Sequence, residues 1–341
     1  MSNHEVRCLL WHRYRGILGT AIAVLLITGF KAANEVMTAN GVAIKATTRA
    51  FTSGGYTASV GGTTMLFVNF IVVLILGWVT FMWDNYTNFN HYLFSLRATR
   101  QQLFNQKLVI FGSTVVSSFV AMHLVFLGTL RLMIRRAASF NLSWGPELRY
   151  TFSQLMFLLA LYAIVATIGL WLGQAVASAL FTIISIPSLI FALEGAFNLF
   201  SYAIGVNPYK TSYLADLDQS TWSGLSLFTG ISLVIIGFLW LMDHWAFKHL
   251  SLENAGNFML FPRFRTVFLW LTVVYLAVAV GFSSFGRTVY AIVVNNYAGE
   301  MPFGVSLVLA IVIGYLTWSV GRLILYRPDH AFDAFKIKKL A

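Results

Sequence analysis

The sequence predicts an all-α polytopic membrane protein with about eight transmembrane helices. Three observations carry this. Hydrophobic residues make up 58% of the 341, charged residues only 10%, and the charge-free runs repeatedly reach the length of a span. Soluble domains carry about 25% charged residues, so this chain has too few to clothe a water-facing surface. Intrinsic disorder is excluded, since it needs low hydrophobicity and high charge density. The net charge of +11 would suggest nucleic acid in a soluble protein. In a membrane protein it reflects Lys and Arg held on the cytoplasmic side, so no nucleic-acid partner is expected. Cys8 is the single cysteine, which excludes an intrachain disulfide.

A span needs about 20 mostly apolar residues. The runs place spans at about 16–36, 63–83, 108–130, 152–172, 175–199, 219–242, 267–286 and 302–321. Residues 150–193 are free of charge, which is too long for one span and right for two, with Gly173 and Gln174 as the turn. Pro187 should kink the fifth span. An even count puts both termini on one side. Counting Lys and Arg across the loops places that side in the cytoplasm, and the expected location is the plasma membrane. Residues 4–14 mix charged and apolar side chains. Val6, Leu9, Leu10 and Arg13 have helical spacing, which suits an interfacial helix on the inner leaflet. The outer loop at 37–62 is rich in Thr, Ser and Gly.

Enzyme signatures are missing. The chain has no phosphate-binding G-x-x-x-x-G-K-[ST] loop, no H-E-x-x-H motif, no Cys/His cluster and no G-x-S-x-G elbow. No catalytic residue, metal ligand or cofactor is therefore expected in this chain. Intramembrane acids, the mark of ion-coupled transport, are nearly absent. Glu194 reads either as a proton or substrate-path group or as a carboxylate at headgroup level. His123, inside the third span, reads as a hydrogen-bonded helix contact or a substrate-path residue. Glu35 and Asp243 fall at span ends and read as interfacial. Arg131, Arg135, Arg136 and Arg149 border the loop after the third span; they suit lipid phosphates or an anionic substrate group.

The connection between the second and third spans is the most informative segment. Phe89, Tyr92, Leu93 and Leu96 follow i, i+3, i+4, i+7 spacing with Phe94 beside them, which predicts a short amphipathic helix. That stripe fits packing on the bundle or lipid, or docking into a groove of a soluble partner. Thr99 followed by Gln102 is a capping-box pattern opening the next helix. Arg100 and Lys107 read as contacts to a partner or to lipid phosphate.

The run from Leu96 through Arg100, Leu103 and Phe104 to Lys107 resembles a motif of the type-2 ABC exporter permeases, with Arg97 where that pattern has Pro. After the sixth span, Glu253, Gly256, Pro262 and Arg263 resemble a cytoplasmic segment of a bacterial subgroup with two further spans. The resemblance implies a permease without its own ATPase. Two permeases, identical or paralogous, would bind cytoplasmic ABC ATPase subunits that supply ATP and Mg. The segment at about 87–97 would be the coupling helix, with Phe89, Tyr92, Leu93, Phe94, Leu96, Arg100, Lys107, Glu253 and Gly256 as the coupling residues. The expected organisation is an interfacial helix at 1–15, a six-helix permease core at 16–247, a connector at 248–266, a two-helix hairpin at 267–325 and a basic tail at 326–341. The implied cargo is an amphipathic peptide, drug or lipid-like molecule. The alternatives are a non-transporting sensor, scaffold or immunity protein, and a secondary transporter or intramembrane enzyme.

Overall fold

A computed structural model describes residues 1–38, 63–133, 143–205, 222–250, 257–294, 301–326 and 335. The described residues form helices and no strand, in the order α1 (Asn3–Thr38), α2 (Thr63–Tyr86), α3 (Phe89–Ser95), α4 (Arg100–Met133), α5 (Trp144–Trp171), α6 (Ala175–Ala203), α7 (Trp222–Lys248), α8 (Arg265–Gly281), α9 (Ser284–Val294) and α10 (Phe303–Tyr326). Eight of these are long and apolar enough to cross a membrane, all but α3 and α9. The chain therefore has the architecture of a multi-pass membrane protein. The break at 172–174 between α5 and α6 falls at the expected turn. Most of the loop at 37–62 lies outside the described residues.

The chain divides into two compact units. The first comprises Met1–Trp171 with Leu217–Leu252, and the second Leu172–Asp216 with Glu253–Ala341. This differs from the division expected from sequence: α6 belongs with α8, α9 and α10 rather than with a six-helix core at 16–247.

In the first unit α1 pairs along its length with α4, α5 packs between α2 and α7, and α3 sits on the connection from α2 to α4. α2 and α5 are its most buried spans and α7 its least. Two of the helices outlast even the whole bilayer with its headgroups, about 40–45 Å thick. At about 1.5 Å per residue, the 36 residues of α1 and the 34 of α4 are each roughly 50 Å long, against a hydrocarbon core of about 30 Å. No break separates residues 1–15 from the span, so the expected interfacial helix is the first part of α1. Its apolar positions Val6 and Leu10 are buried, and Arg7 Nε donates to Gln106 Oε1 of α4 at 2.9 Å. Protein covers Val6 and Leu10, while Leu9 is half-buried and Arg13 exposed. Further along, a Cβ on Gly29 would stand 2.5 Å from the Met122 carbonyl oxygen. Only glycine lets the two backbones approach this closely.

In the second unit α8 packs against α6 and α10. Leu269, Val273 and Leu325 form a buried cluster flanked by Phe258, Phe268, Trp318 and Tyr326. The Tyr275 hydroxyl donates to the Ser185 carbonyl at 3.0 Å and meets the Ser188 hydroxyl at 2.7 Å. Asn198 Nδ2 donates to the Phe282 carbonyl at 2.7 Å. α6 runs through Pro187 as one helix. The start of the unit is tied down as well, since the Gly173 amide donates to the Phe258 carbonyl at 3.1 Å.

Candidate functional site

The site is built at the end of the first unit where α2 turns into α4. After Tyr86 the chain reverses through Asn88, whose φ is 55°, a left-handed value that Asn tolerates better than most residues. α3 follows and ends where Leu96 adopts extended backbone. Both bonds of the expected capping box are present. Thr99 N donates to Gln102 Oε1 at 3.1 Å, and Gln102 N to Thr99 Oγ1 at 3.2 Å. α4 therefore starts about two turns before its span.

Two arginines bracket α3. The Arg13 guanidinium lies 4.7 Å from the Phe89 ring centre and Arg100 4.5 Å from that of Phe94, both within cation–π range. Arg100 Nη1 also donates to the carbonyls of Lys248 at 3.0 Å and Leu250 at 2.8 Å. Those carbonyls close the C-terminal end of α7, where a cation is favoured by the helix dipole. Phe94 meets Phe247 of α7 edge-on at 5.7 Å. α3 is thus fastened to α1, α4 and α7.

The predicted stripe does not share one fate. Leu93 is fully buried, Phe89, Phe94 and Leu96 are partly covered, and Tyr92 is 50% exposed. Leu93 holds α3 onto its own chain, and the outward face is His91, Tyr92 and Ser95. Of the two readings of the stripe, the burial of Leu93 fits packing on the bundle, where a seven-residue helix buries one side of an otherwise apolar set.

Beneath α3 lies a buried charged cluster. Asp84 at the end of α2 forms an ion pair with Lys107 of α4, and both side chains are 0% exposed. The Tyr14 hydroxyl of α1 donates to the same carboxylate oxygen. The Lys107 ammonium lies 5.5 Å from the Phe81 ring centre and 5.6 Å from that of Phe247. Lys107 therefore does not face a partner or lipid, as its sequence position suggested. It joins three helices in the interior. The expected partner contact is corrected by burial: the spacing places Lys107 at the entrance to a span, but not on which side of the helix Asp84 lies.

A second buried acid was also missed. Asp243 sits on α7 and is buried rather than interfacial. Its carboxylate accepts from Thr167 Oγ1 at 2.7 Å and from Trp171 Nε1 at 3.2 Å, both on α5. Replacing it should loosen the α5–α7 pair. Asp243→Ala is expected to cost about 1–3 kcal/mol, the usual price of removing a buried acceptor, and Asp243→Asn, which keeps an acceptor oxygen, measurably less. Thermal unfolding of the two purified variants in detergent checks the order.

The remaining candidates disperse. Glu194 receives the Ser284 amide at 3.0 Å and the Ser284 hydroxyl at 2.6 Å, so it caps α9. His123 is buried in α4, with Nδ1 3.2 Å from the Phe119 carbonyl and its ring 4.3 Å from that of Phe119. It bonds within its own helix. Arg131 is exposed in the last turn of α4. Arg149 lies over Trp222 at 4.9 Å, joining α5 to α7. Glu35 pairs with Lys31 at 3.5 Å. Arg135, Arg136, Glu253 and Gly256 lie outside the described residues. No group of three or more His, Cys, Asp or Glu side chains able to hold a metal occurs among the described residues.

A small helix with one free face is fastened to three long helices above a buried ion pair. Its named contacts run to α1, α4 and α7. No family model, curated protein or solved structure matches the chain.

Proposed function

We propose that the chain is the membrane-spanning permease subunit of an ATP-driven exporter. α3 is its coupling helix, receiving the movement of a separate cytoplasmic ABC ATPase. The observation that carries this is the double fastening of α3 by Arg13 and Arg100, with Tyr92 left outward. A loop serving only to join two spans needs no such attachment. A lever does, because a push on a loosely held helix is absorbed locally. The resemblance of the Leu96–Lys107 run to the type-2 permeases points the same way, as does the lack of a phosphate-binding loop in this sequence. In this reading the permease pairs with a second one, identical or paralogous, in the plasma membrane with both termini cytoplasmic. ATP and Mg belong to the ATPase chains, and the cargo is an amphipathic peptide, drug or lipid-like molecule.

The test is a mild-detergent purification of the tagged chain from its native membrane, followed by an ATPase assay and mass spectrometry. A stoichiometric ATPase subunit with nucleotide hydrolysis is expected. Recovery of the chain alone, with no hydrolysis in several lipid mixtures, would overturn the proposal in favour of a sensor, scaffold or immunity role.

A further inference from the structure

α8 and α10 are each long and apolar enough to cross a membrane. α9, which falls between them in the chain, then lies toward one membrane surface. α9 has 11 residues, about 16 Å of helix at ~1.5 Å per residue, too short for a hydrocarbon core of about 30 Å. It also turns back at once on the helix before it. A Cβ on Gly286 would stand 1.8 Å from the Val280 carbonyl oxygen, so the fold-back at this point requires glycine.

The faces of α9 differ in kind. Phe285, Val289, Ile292 and Val293 fall on one side at i, i+4, i+7 and i+8. Arg287 falls on the opposite side, which it shares with the half-exposed Val294 at the helix end. Gly286 and Ala291 are buried. Phe285 and Ile292 are exposed, and Val293 is 77% exposed. In water such a face would be a liability in so short a helix. At a membrane surface it is the pattern of a helix lying in the interface, apolar side toward acyl chains and basic side toward headgroups.

The start of α9 is fixed from a neighbouring span. Glu194 of α6 accepts both the amide and the hydroxyl of Ser284, and the Ser283 hydroxyl accepts the Phe285 amide at 3.1 Å. An anionic acceptor at a helix N-terminus satisfies free amides and matches the helix dipole. The Phe285 ring also lies 5.5 Å from that of Phe191 on α6.

We infer that α9 is an interfacial helix whose partner is the lipid bilayer. Phe285, Ile292 and Val293 are immersed among acyl chains, Arg287 faces headgroups and water, and Glu194 is the positioning residue that sets its angle of entry. The bilayer, not another protein, is the partner because both chain neighbours of α9 are spans and its apolar face is narrow and opposed by arginine. Glu194 thereby has a structural role at the start of α9. The inference does not depend on the transporter reading.

Because Cys8 is the single cysteine, Cys8→Ser gives a background for spin labels. Labels are placed one at a time through Phe285→Cys, Arg287→Cys, Ile292→Cys and Val293→Cys, with the full chain in phosphatidylcholine nanodiscs. Collision rates with oxygen, which concentrates in lipid, and with a water-soluble nickel chelate are compared. The oxygen-to-nickel ratio should be severalfold higher at 285, 292 and 293 than at 287. Equally low ratios at all four would place the helix in water, equally high ratios would sink it wholly into the hydrocarbon, and shielding of all four from both agents would mean that protein covers it; each overturns the inference. Glu194→Ala should raise the mobility of the label at 292, and Glu194→Gln, which keeps an acceptor oxygen, should raise it less. Unchanged mobility in both would remove Glu194 from the positioning role.

Discussion

Lys107→Met should destabilise the purified chain by about 3–5 kcal/mol, the range found when one member of a buried ion pair is removed. The cause is what remains. Asp84 would keep a charge in a fully buried site, with only the Tyr14 hydroxyl still donating to it. The neighbouring rings of Phe81 and Phe247 offer no second donor. Desolvation of an uncompensated carboxylate, rather than loss of a favourable contact, sets the size of the effect. The double variant Asp84→Asn/Lys107→Met therefore separates the two explanations. It removes both charges, keeps an oxygen for Tyr14, and should recover most of the loss, since neutral replacement of a buried pair is often harmless. Thermal unfolding in detergent of the two single variants and the double variant gives the cycle. A Lys107→Met protein that melts with the parent would mean that water reaches Asp84 and that the three helices are not joined there.

The spans were legible because their signal is local and large. A run of apolar residues needs no knowledge of its neighbours to be recognised, and the eight long helices fall where the charge-free runs lie. The capping box at Thr99 was legible for the same reason, since both partners are three residues apart. Side-chain destinations were not. Asp84 and Lys107 are each plausible at a membrane surface when read alone. Only the packing of α2 against α4 turns them into one buried pair. Asp243 was read as interfacial because it ends an apolar run, but α7 continues to Lys248 and presents it to Thr167 and Trp171. Val6 and Leu10 had the spacing of a lipid-facing stripe; spacing fixes a face and leaves open what covers it. α9 was missed because the seventh run at about 267–286 takes in its first residues and the apolar residues after Arg287 are too few for a span, while the break at 282–283 is set by the tight return at Gly286 rather than by a charge or proline. Glu194 could be located near a membrane surface from sequence, but its partner is 90 residues away on the chain.

Arg100→Ala and Tyr92→Asp should fail in different ways, and the difference tests whether α3 is a lever or only a handle. Tyr92 is the large exposed side chain on the outward face of α3, and aromatic anchors at interfaces commonly contribute about 2 kcal/mol or more. Tyr92→Asp should therefore reduce the amount of ATPase that purifies with the chain while leaving its folding intact. Arg100 makes no use of the outward face. It stacks on Phe94 and donates to two carbonyls at the end of α7. Hydrogen bonds from a charged donor contribute about 1.5–3 kcal/mol when sheltered, less where water competes. Their loss should shift the attached state of α3 by about tenfold, at roughly 1.4 kcal/mol per decade. Spin labels at Ser95 on α3 and Lys248 on α7, both exposed, should give one narrow distance in the parent and a broad distribution in Arg100→Ala. Lysine at this position keeps the charge but not the planar fork that stacks and bridges, so Arg100→Lys should fall between the two. If the ATPase stays bound to Arg100→Ala while ATP-dependent movement of the α7 label is lost, α3 transmits force through this arginine. If the distance distribution stays narrow, the attachment of α3 rests on the burial of Leu93 and the Phe94–Phe247 contact instead, and the transmission path runs through packing rather than through the clasp.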